Sequence, residues 1–473
     1  MKNCVVSLDI GTSSCRCGAF REGSLQLQRT AALLPFRQAP GLSEYQAEDL
    51  LTSSYQVLHQ VLDAIDLSCV SALAISSQRS TVVLWDKNSG KALGPVLTWE
   101  DGRAVQEAEH ANISQKEVHK LTGLYKTPYF SAPKISWELA HLPTVQQALK
   151  NHTLCAGPIA SYLIYHLTNG QVFATDPTLA QRTLLFDITQ GTWNEQLCKA
   201  FSVPAEILPQ LKATCDDYGM YEYHSKKLPI RVCVGDQQAA ASMLQPGDML
   251  LNYGTGAFVL HHTGEKCVLL PGLLTSVAPS QKGKALSYLL EGPVNAAGSA
   301  YLWLRTKGIE MKMEELDSFC THARHPLEIL PALGGLGAPY WDFSLKPVIK
   351  GVTDATTPAD WAAGLTHGIA LLMADIVNYM QTYKIIPQGN TTVSGGLSQS
   401  DYLMQFQANV LQRTLTRTTQ PEETLVGASF LAGMSICNRL QEKSFLPQIS
   451  SSKTNEIYQR WQDFVKECNA KVL

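Results

Sequence analysis

Long apolar runs are missing from this chain. No stretch approaches the roughly 20 apolar residues that span a bilayer. The richest candidate, Leu365 to Met380, carries His367 and Asp375. The opening run Val5-Val6-Ser7-Leu8 stops at Asp9, too soon for a signal peptide. No membrane span and no secretory leader are expected. An excess of one charge is missing too. Lys and Arg number 38 and Asp and Glu 41, for a net charge of −3, and no long run of like charge occurs. A nucleic-acid partner is therefore not expected. The twelve cysteines form no Cys-x-x-Cys pair, and Cys15 and Cys17, the nearest two, have no further metal ligand beside them. That spacing excludes a zinc site, and a chain this long is a poor candidate for an extracellular disulfide framework. Reduced, mostly buried cysteines in a cytoplasm are expected. The G-x-x-x-x-G-K-[ST] loop is absent, and so is a G-x-G-x-x-G turn opening a helix. Their absence argues against a P-loop protein and a dinucleotide-dependent dehydrogenase.

What is present is ordinary globular composition, with 45% hydrophobic and 17% charged residues. A chain of 473 residues exceeds one core, so two domains are expected. Short mixed apolar runs read as strands over the first ~35 residues. Val5 to Leu8 leads into the turn Gly11-Thr12-Ser13-Ser14, and Cys15 to Phe20 returns. A helix is predicted from Ala47 to Ile65. The strand Ala72–Ile75 and a second strand, Val82–Trp85, read as a hairpin closed by Asp86-Lys-Asn-Ser-Gly90. The same design recurs later: Met249 to Asn252, the turn Tyr253-Gly254-Thr255-Gly256, then Ala257 to His261. This suggests two copies of one α/β unit with a seam near residues 238–250. Thr357-Pro358-Ala359-Asp360 has cap, N1 proline and N3 acid in order, ahead of Leu365, Ile369, Leu372 and Ile376 at helical spacing. The last ~20 residues, with Ile457, Trp461, Phe464 and Val465, read as an amphipathic helix.

The chemistry concentrates in a few places. Val232-Cys-Val-Gly235-Asp236-Gln237 is an apolar strand that stops at a glycine and presents an acid. An acid at the end of a buried strand suits a general base, and it equally suits a helix N-cap. Two Gly-Thr turns, one per repeat, offer backbone N–H groups and hydroxyls to phosphate oxygens. Acids at strand ends near phosphates point to magnesium, with Asp9 and Asp236 the candidates. Arg79 follows a buried strand, where its guanidinium fork suits a polar substrate. Trp99 offers an apolar wall. The paired glycines Gly395-Gly396 end a strand where a flat ligand could approach the backbone.

These segments, with Thr127-Pro-Tyr129-Phe-Ser-Ala-Pro-Lys134, Thr175-Asp-Pro-Thr-Leu-Ala-Gln-Arg182, Leu290-Glu291-Gly292 and Gly337-Ala-Pro-Tyr-Trp-Asp342, resemble the FGGY carbohydrate kinases over nearly the whole length. The glycerol kinases are the nearest branch. The resemblance implies two ribonuclease-H-like α/β domains, as in actin, hexokinase and Hsp70, with a catalytic cleft between them. It implies a polyol- or sugar-binding domain over residues 1–242 and an ATP-binding domain over 243–473. The implied activity is ATP- and magnesium-dependent phosphorylation of a primary hydroxyl of a small polyol, glycerol first. Asp236 matches the catalytic base. Arg79, Ser80, Trp99, Tyr129, Asp236 and Gln237 match the polyol pocket, closed by Phe258. Thr12, Ser13, Ser14 and Arg16, with Thr255 and Gly256, match phosphate-binding positions. Gly298 and Gly396 lie toward the nucleotide, and Asp9 and Asp236 on the magnesium side. A homodimer or homotetramer is left open.

Three departures from the glycerol kinases stand out. Their glutamate after the arginine, which accepts a hydrogen bond from a glycerol hydroxyl, is Ser80 here. An aspartate in the segment matching Gly157 to Ala160 is Ala160. The glycine- and arginine-containing loop that binds fructose bisphosphate in some bacterial members is Tyr221-Glu-Tyr-His-Ser-Lys-Lys227. Two alternatives stay open: a tetritol, pentulose or dihydroxyacetone kinase, and an ATP-gated sensor without turnover.

Overall fold

The computed structural model describes residues 4–418, 422–435 and 442–468. Its first unit is built on a six-stranded sheet. Strand β1 (Cys4–Ile10) pairs antiparallel with β2 (Ser14–Arg21), and β2 with β3 (Ser24–Ala32). Helix α1 (Ala47–Leu62) buries Leu50, Val57, Leu58 and Val61, an apolar stripe at helical spacing. Strand β4 (Val70–Ser77) then lies parallel to β1.

The next strand corrects the expected hairpin. Strand β5 (Val82–Asp86) does not pair with β4; it joins a separate five-stranded sheet beside Val96–Leu97 and Leu154–Pro158. Ser80, at φ 64, turns the chain out of the first sheet, and the turn after Asp86 folds β5 back onto Ala92 instead. Helices α2 (Ser131–His141) and α3 (Pro177–Gln181) precede β6 (Lys226–Gly235), which runs parallel to β4. Helix α4 (Asp236–Ala240) starts at once from its end.

The second unit repeats the plan. Strand β7 (Met249–Tyr253) pairs antiparallel with β8 (Ala257–Gly264). Strands β9 (Leu274–Val277) and β10 (Tyr288–Val294) extend that sheet. Helix α5 (Gly298–Leu304) follows, then the long α6 (Pro358–Thr382). Thr357 and Asp360 close a reciprocal capping box at its start, as their order in the chain predicts. Strand β11 (Thr391–Ser394) is parallel to β7, and β12 (Leu415–Thr418) to β11. The strand order β6-β4-β1-β2-β3 is therefore matched by β12-β11-β7-β8-β10, with the same directions. This is the duplicated ribonuclease-H-like arrangement.

Helix α7 (Glu423–Leu431) lies on the first sheet, although it follows the second in sequence. Its Leu425 and Val426 pack on Val5, Phe20 and Ala72, and its Ala428 on Ala74, Val232 and Val234. With α1 on the opposite face, β1 is buried along its whole length. The last helix, α8 (Ser451–Glu467), buries Trp461, Phe464 and Val465 in the second core. Among the described residues, no helix is long and apolar enough to cross a membrane. The eleven cysteines among them are free.

Candidate active site

The end of β6 delivers Asp236. Gly235 occupies the capping position of α4 and Asp236 is the first helical residue, without a side-chain capping bond. The capping alternative thus gives way to a carboxylate turned toward other partners. Asp236 Oδ1 accepts the Gln237 N–H at 2.8 Å and lies 3.5 Å from Arg79 Nε. Burial raises the Asp236 pKa, and Arg79 only partly offsets it.

Arg79 is buried, and each arm of its fork has a partner. Nη2 donates to Gln237 Oε1, and Nη1 to Gln238 Oε1 at 3.4 Å. A Cβ on Gly235 would meet the Arg79 stem at 3.0 Å, so this glycine lets the arginine lie along the strand end. Ser80 follows in the left-handed region, where a non-glycine residue is strained and marks a candidate functional position. Its carbonyl accepts from Ser131 Oγ at 3.2 Å and from Lys134 Nζ at 3.5 Å. Its own Oγ is buried and has no partner among the described residues. A buried hydroxyl without a partner is an unmet hydrogen bond, which singles this position out.

The first Gly-Thr turn faces the same region. Asp9 is fully buried; Arg16 Nη2 sits 2.7 Å from its Oδ2, and Ser76 Oγ donates to Oδ1 at 2.9 Å. Burial lifts the Asp9 pKa to about 6 against the pull of Arg16, and the nearby Asp236 charge adds to the rise. Arg16 also reaches Glu422 Oε2, at 2.6 Å, at the start of α7. Trp99 Nε1 donates to Thr12 Oγ1 at 3.1 Å, and the Trp99 ring packs on Tyr129 with centroids 5.5 Å apart. The Ser14 carbonyl closes the turn by accepting the Gly11 N–H, and the Ser13 carbonyl accepts the N–H of Leu33, just past β3.

The second turn is braced by close backbone approach. A Cβ on Gly298 would lie 2.8 Å from Gly254 O, and one on Gly256 2.8 Å from Val294 O. Gly395 needs its φ of 87 and sits against Tyr253, whereas Gly396 faces open space. The two halves meet at a cavity of about 190 Å³ lined by Asp236, Gln237, Asn252, Phe258 and Glu423. Thr255, Gly256, Gly298 and Gly396 do not line it. A larger cavity of about 420 Å³ lies between α8 and α6 and touches none of these residues.

Several residues here have no role that the sequence alone suggests. Lys134 is buried, burial lowers its pKa to about 7, and its Nζ also donates to Tyr129 O at 2.6 Å. It ties the Ser80 and Tyr129 segments together. Arg182, Glu291, Gln238 and Glu423 are the others. Charged residues set in otherwise apolar segments, such as Leu289-Leu290-Glu291, were the available signal.

Comparison with known proteins gives one picture. Residues 4–242 match the N-terminal domain of the FGGY family of carbohydrate kinases, and residues 249–436 its C-terminal domain. The chain is similar to the glycerol kinase of Trichlorobacter lovleyi, at 34% identity over 98% of both chains. It is also similar to that of Lactobacillus acidophilus, at 32% identity over 98% of this chain and 97% of the relative. A crystal structure of Plasmodium falciparum glycerol kinase with ADP superposes with a TM-score of 0.93 at 27% identity, covering 100% of this chain and 99% of that one. Xylulose kinase from Rhodospirillum rubrum shares the fold, with a TM-score of 0.87 at 20% identity over 99% of both chains.

Proposed function

The chain belongs to the FGGY family of carbohydrate kinases, and we propose on that premise that it transfers the γ-phosphoryl group of ATP to a primary hydroxyl of glycerol. The observation that carries this reading is Asp236, held by Arg79 at a strand end in a cavity shared by both halves. Asp236 takes the hydroxyl proton as that oxygen attacks phosphorus. Arg79 and Gln237 orient the polyol, and Trp99, Tyr129 and Phe258 wall its carbon side. The backbone and hydroxyls of Thr12, Ser13, Ser14, Thr255 and Gly256, with Arg16, face the phosphates, and Gly298 and Gly396 leave room for the nucleotide. Positioning and charge stabilisation dominate such a transfer.

A magnesium ion fits this donor set. Asp236 Oδ2 has no protein partner among the described residues, and Asp9 lies within its field. An ion that takes one or two carboxylates and keeps its waters suits such a pair. Bound there, it would neutralise phosphate charge. The first domain is taken as residues 1–242, the second as 243–473, and the compartment as the cytoplasm, in keeping with the free cysteines.

Activity should depend on pH with a defined sign. A base works only when ionised, so kcat/KM should fall as pH drops through the Asp236 pKa. Burial raises that pKa, so the midpoint should lie above the ordinary value of 3.8. Asp9, near 6, is linked to it, and the acid limb belongs to the pair. A pH profile of kcat/KM for glycerol between about pH 4 and 8 tests this; a flat profile would count against a carboxylate base.

Ser80 sets a second test. A glutamate at this position offers a charged acceptor, and the open Ser80 hydroxyl offers a neutral, shorter one. The difference is on the order of 1–2 kcal/mol, about ten- to thirty-fold in kcat/KM. Ser80→Glu should raise kcat/KM for glycerol and lower it for any preferred larger polyol. A variant that only loses activity on glycerol would mean that Ser80 already serves glycerol fully. The experiment that tests the function itself is ADP formation with and without a polyol panel.

A further inference from the structure

Glu291 is an acid in the middle of a buried strand. Its side chain is 3% exposed, and so placed a carboxylate is unfavourable unless paired and hydrogen-bonded. It is both. Ser276 Oγ donates to Oε2 at 2.6 Å, and Arg182 Nη2 reaches the same oxygen at 2.5 Å. Arg182 belongs to the first unit, following α3, while Ser276 and Glu291 lie on β9 and β10 of the second. The contact is not a loose one. Next to Arg182, Gln181 donates to Thr122 O and Thr275 O and accepts the Val277 N–H at 2.9 Å. The two units are hydrogen-bonded to each other at this point.

The same oxygen of Glu291 lies 3.6 Å from Arg79 Nη1. Arg79 is thus held between two anions, Glu291 behind it and Asp236 in front. Two guanidiniums share Glu291. Burial alone would raise its pKa, but Arg182 and then Arg79 hold it near 2. The Arg182 pKa is lowered by burial and by Arg79, as expected of two cations that need the anion between them.

We propose that Glu291 is a positioning residue contributed by the second domain to the acceptor site: with Arg182 as its counter-ion it fixes the Arg79 guanidinium, and through Arg79 it holds the strand end that presents Asp236. The inference rests on the reading of Asp236 as the base. Glu291 does not touch the polyol or the phosphates; it acts through Arg79. Counting Arg79, Arg182, Glu291 and Asp236 as ionised, the group is neutral. Arg16, Asp9, the Tyr129 phenol and Glu423 also face Asp236 and are unchanged by the variants below.

The test is a three-variant cycle with Asp236→Asn as reference, read by thermal melting and by kcat and KM for glycerol and for ATP taken separately. Glu291→Gln removes an anion and leaves two arginines facing one another. It should lower kcat/KM for glycerol by about tenfold or more while KM for ATP stays unchanged. Arg182→Met removes the counter-ion and should lower it less. The double variant restores neutrality, so its kcat/KM should exceed that of Glu291→Gln. A merely structural role would lower the melting temperature, leave both KM values where they are and make the double variant the worst of the three. Wild-type kcat and KM for glycerol in folded Glu291→Gln, or a double variant no better than Glu291→Gln, with Asp236→Asn inactive, would overturn the proposal. Turnover retained in Asp236→Asn would instead overturn the reading of the base. If Glu291→Gln fails to fold, Glu291→Asp, which keeps the charge and shortens its reach, decides the matter by the same readout: an unchanged kcat/KM for glycerol would overturn the proposal.

Discussion

Asp236→Asn should abolish phosphoryl transfer while leaving nucleotide binding in place. Asparagine is close in shape and can still accept the Gln237 N–H, so the strand end and α4 should keep their geometry. What it lacks is the ability to take a proton and the charge facing Arg79. Removing a general base lowers the rate by about 10²–10⁴-fold, and a weakened ion site would add to that. The fold should not suffer. The Asp236 pKa is raised, so at neutral pH the ionised acid is less comfortable folded than unfolded. Its charge therefore opposes folding, and the variant should melt no lower than wild type. Steady-state kinetics, an ADP-binding titration and a melting curve together check this. Near wild-type turnover would remove Asp236 from the mechanism.

Gly427→Ala should damage stability and activity together. A Cβ on Gly427 would lie 1.8 Å from Ala239 O and 2.6 Å from its carbon. Both are backbone atoms of α4, the helix that begins with Asp236 and Gln237, so no flexible side chain can yield. Helix α7 also packs Leu425, Val426 and Ala428 into the first sheet, which leaves it little freedom to back away. Overpacking of this kind costs about 1–3 kcal/mol, occasionally more, and here the upper end is expected. The melting temperature should drop by roughly 2–4 °C per kcal/mol for a unit of this size. A displaced α4 would also misplace Asp236, so kcat should fall beyond any loss of folded protein. A variant matching wild type in both would show that α4 and α7 can separate freely.

The duplication was legible in the chain because each copy carries a Gly-Thr turn between two strands. The full match of five strands was not, since parallel pairing between β1 and β4 or β7 and β11 joins segments with no shared local pattern. The hairpin expected over residues 72–90 failed for a related reason. Strand β5 takes its partners from Val96–Leu97 and Leu154–Pro158, and only the turn at Ser80 reveals that the chain has left the first sheet. The site was legible in two ways. Asp236 stood out as an acid ending an apolar strand, whereas the roles of Tyr129, Gln237 and Phe258 came from family resemblance alone. Arg182 and Glu291 lie in segments that carry that resemblance, yet their sequence context gives neither a role. They are separated by 109 residues and meet only when the two units dock. Lys134 was hidden similarly: its charge is turned inward on α2, against carbonyls from two other segments.

The most direct measurement of the central claim is the fate of the ATP γ-phosphate, followed by phosphorus NMR and ADP formation with and without glycerol. ADP should form only when a polyol is present, in equal amount to a new phosphate ester on a primary hydroxyl. ADP formed at the same rate without polyol, or no ester with any member of a panel of tetritols, pentuloses and dihydroxyacetone, would contradict it and favour an ATP-gated protein that does not transfer phosphate.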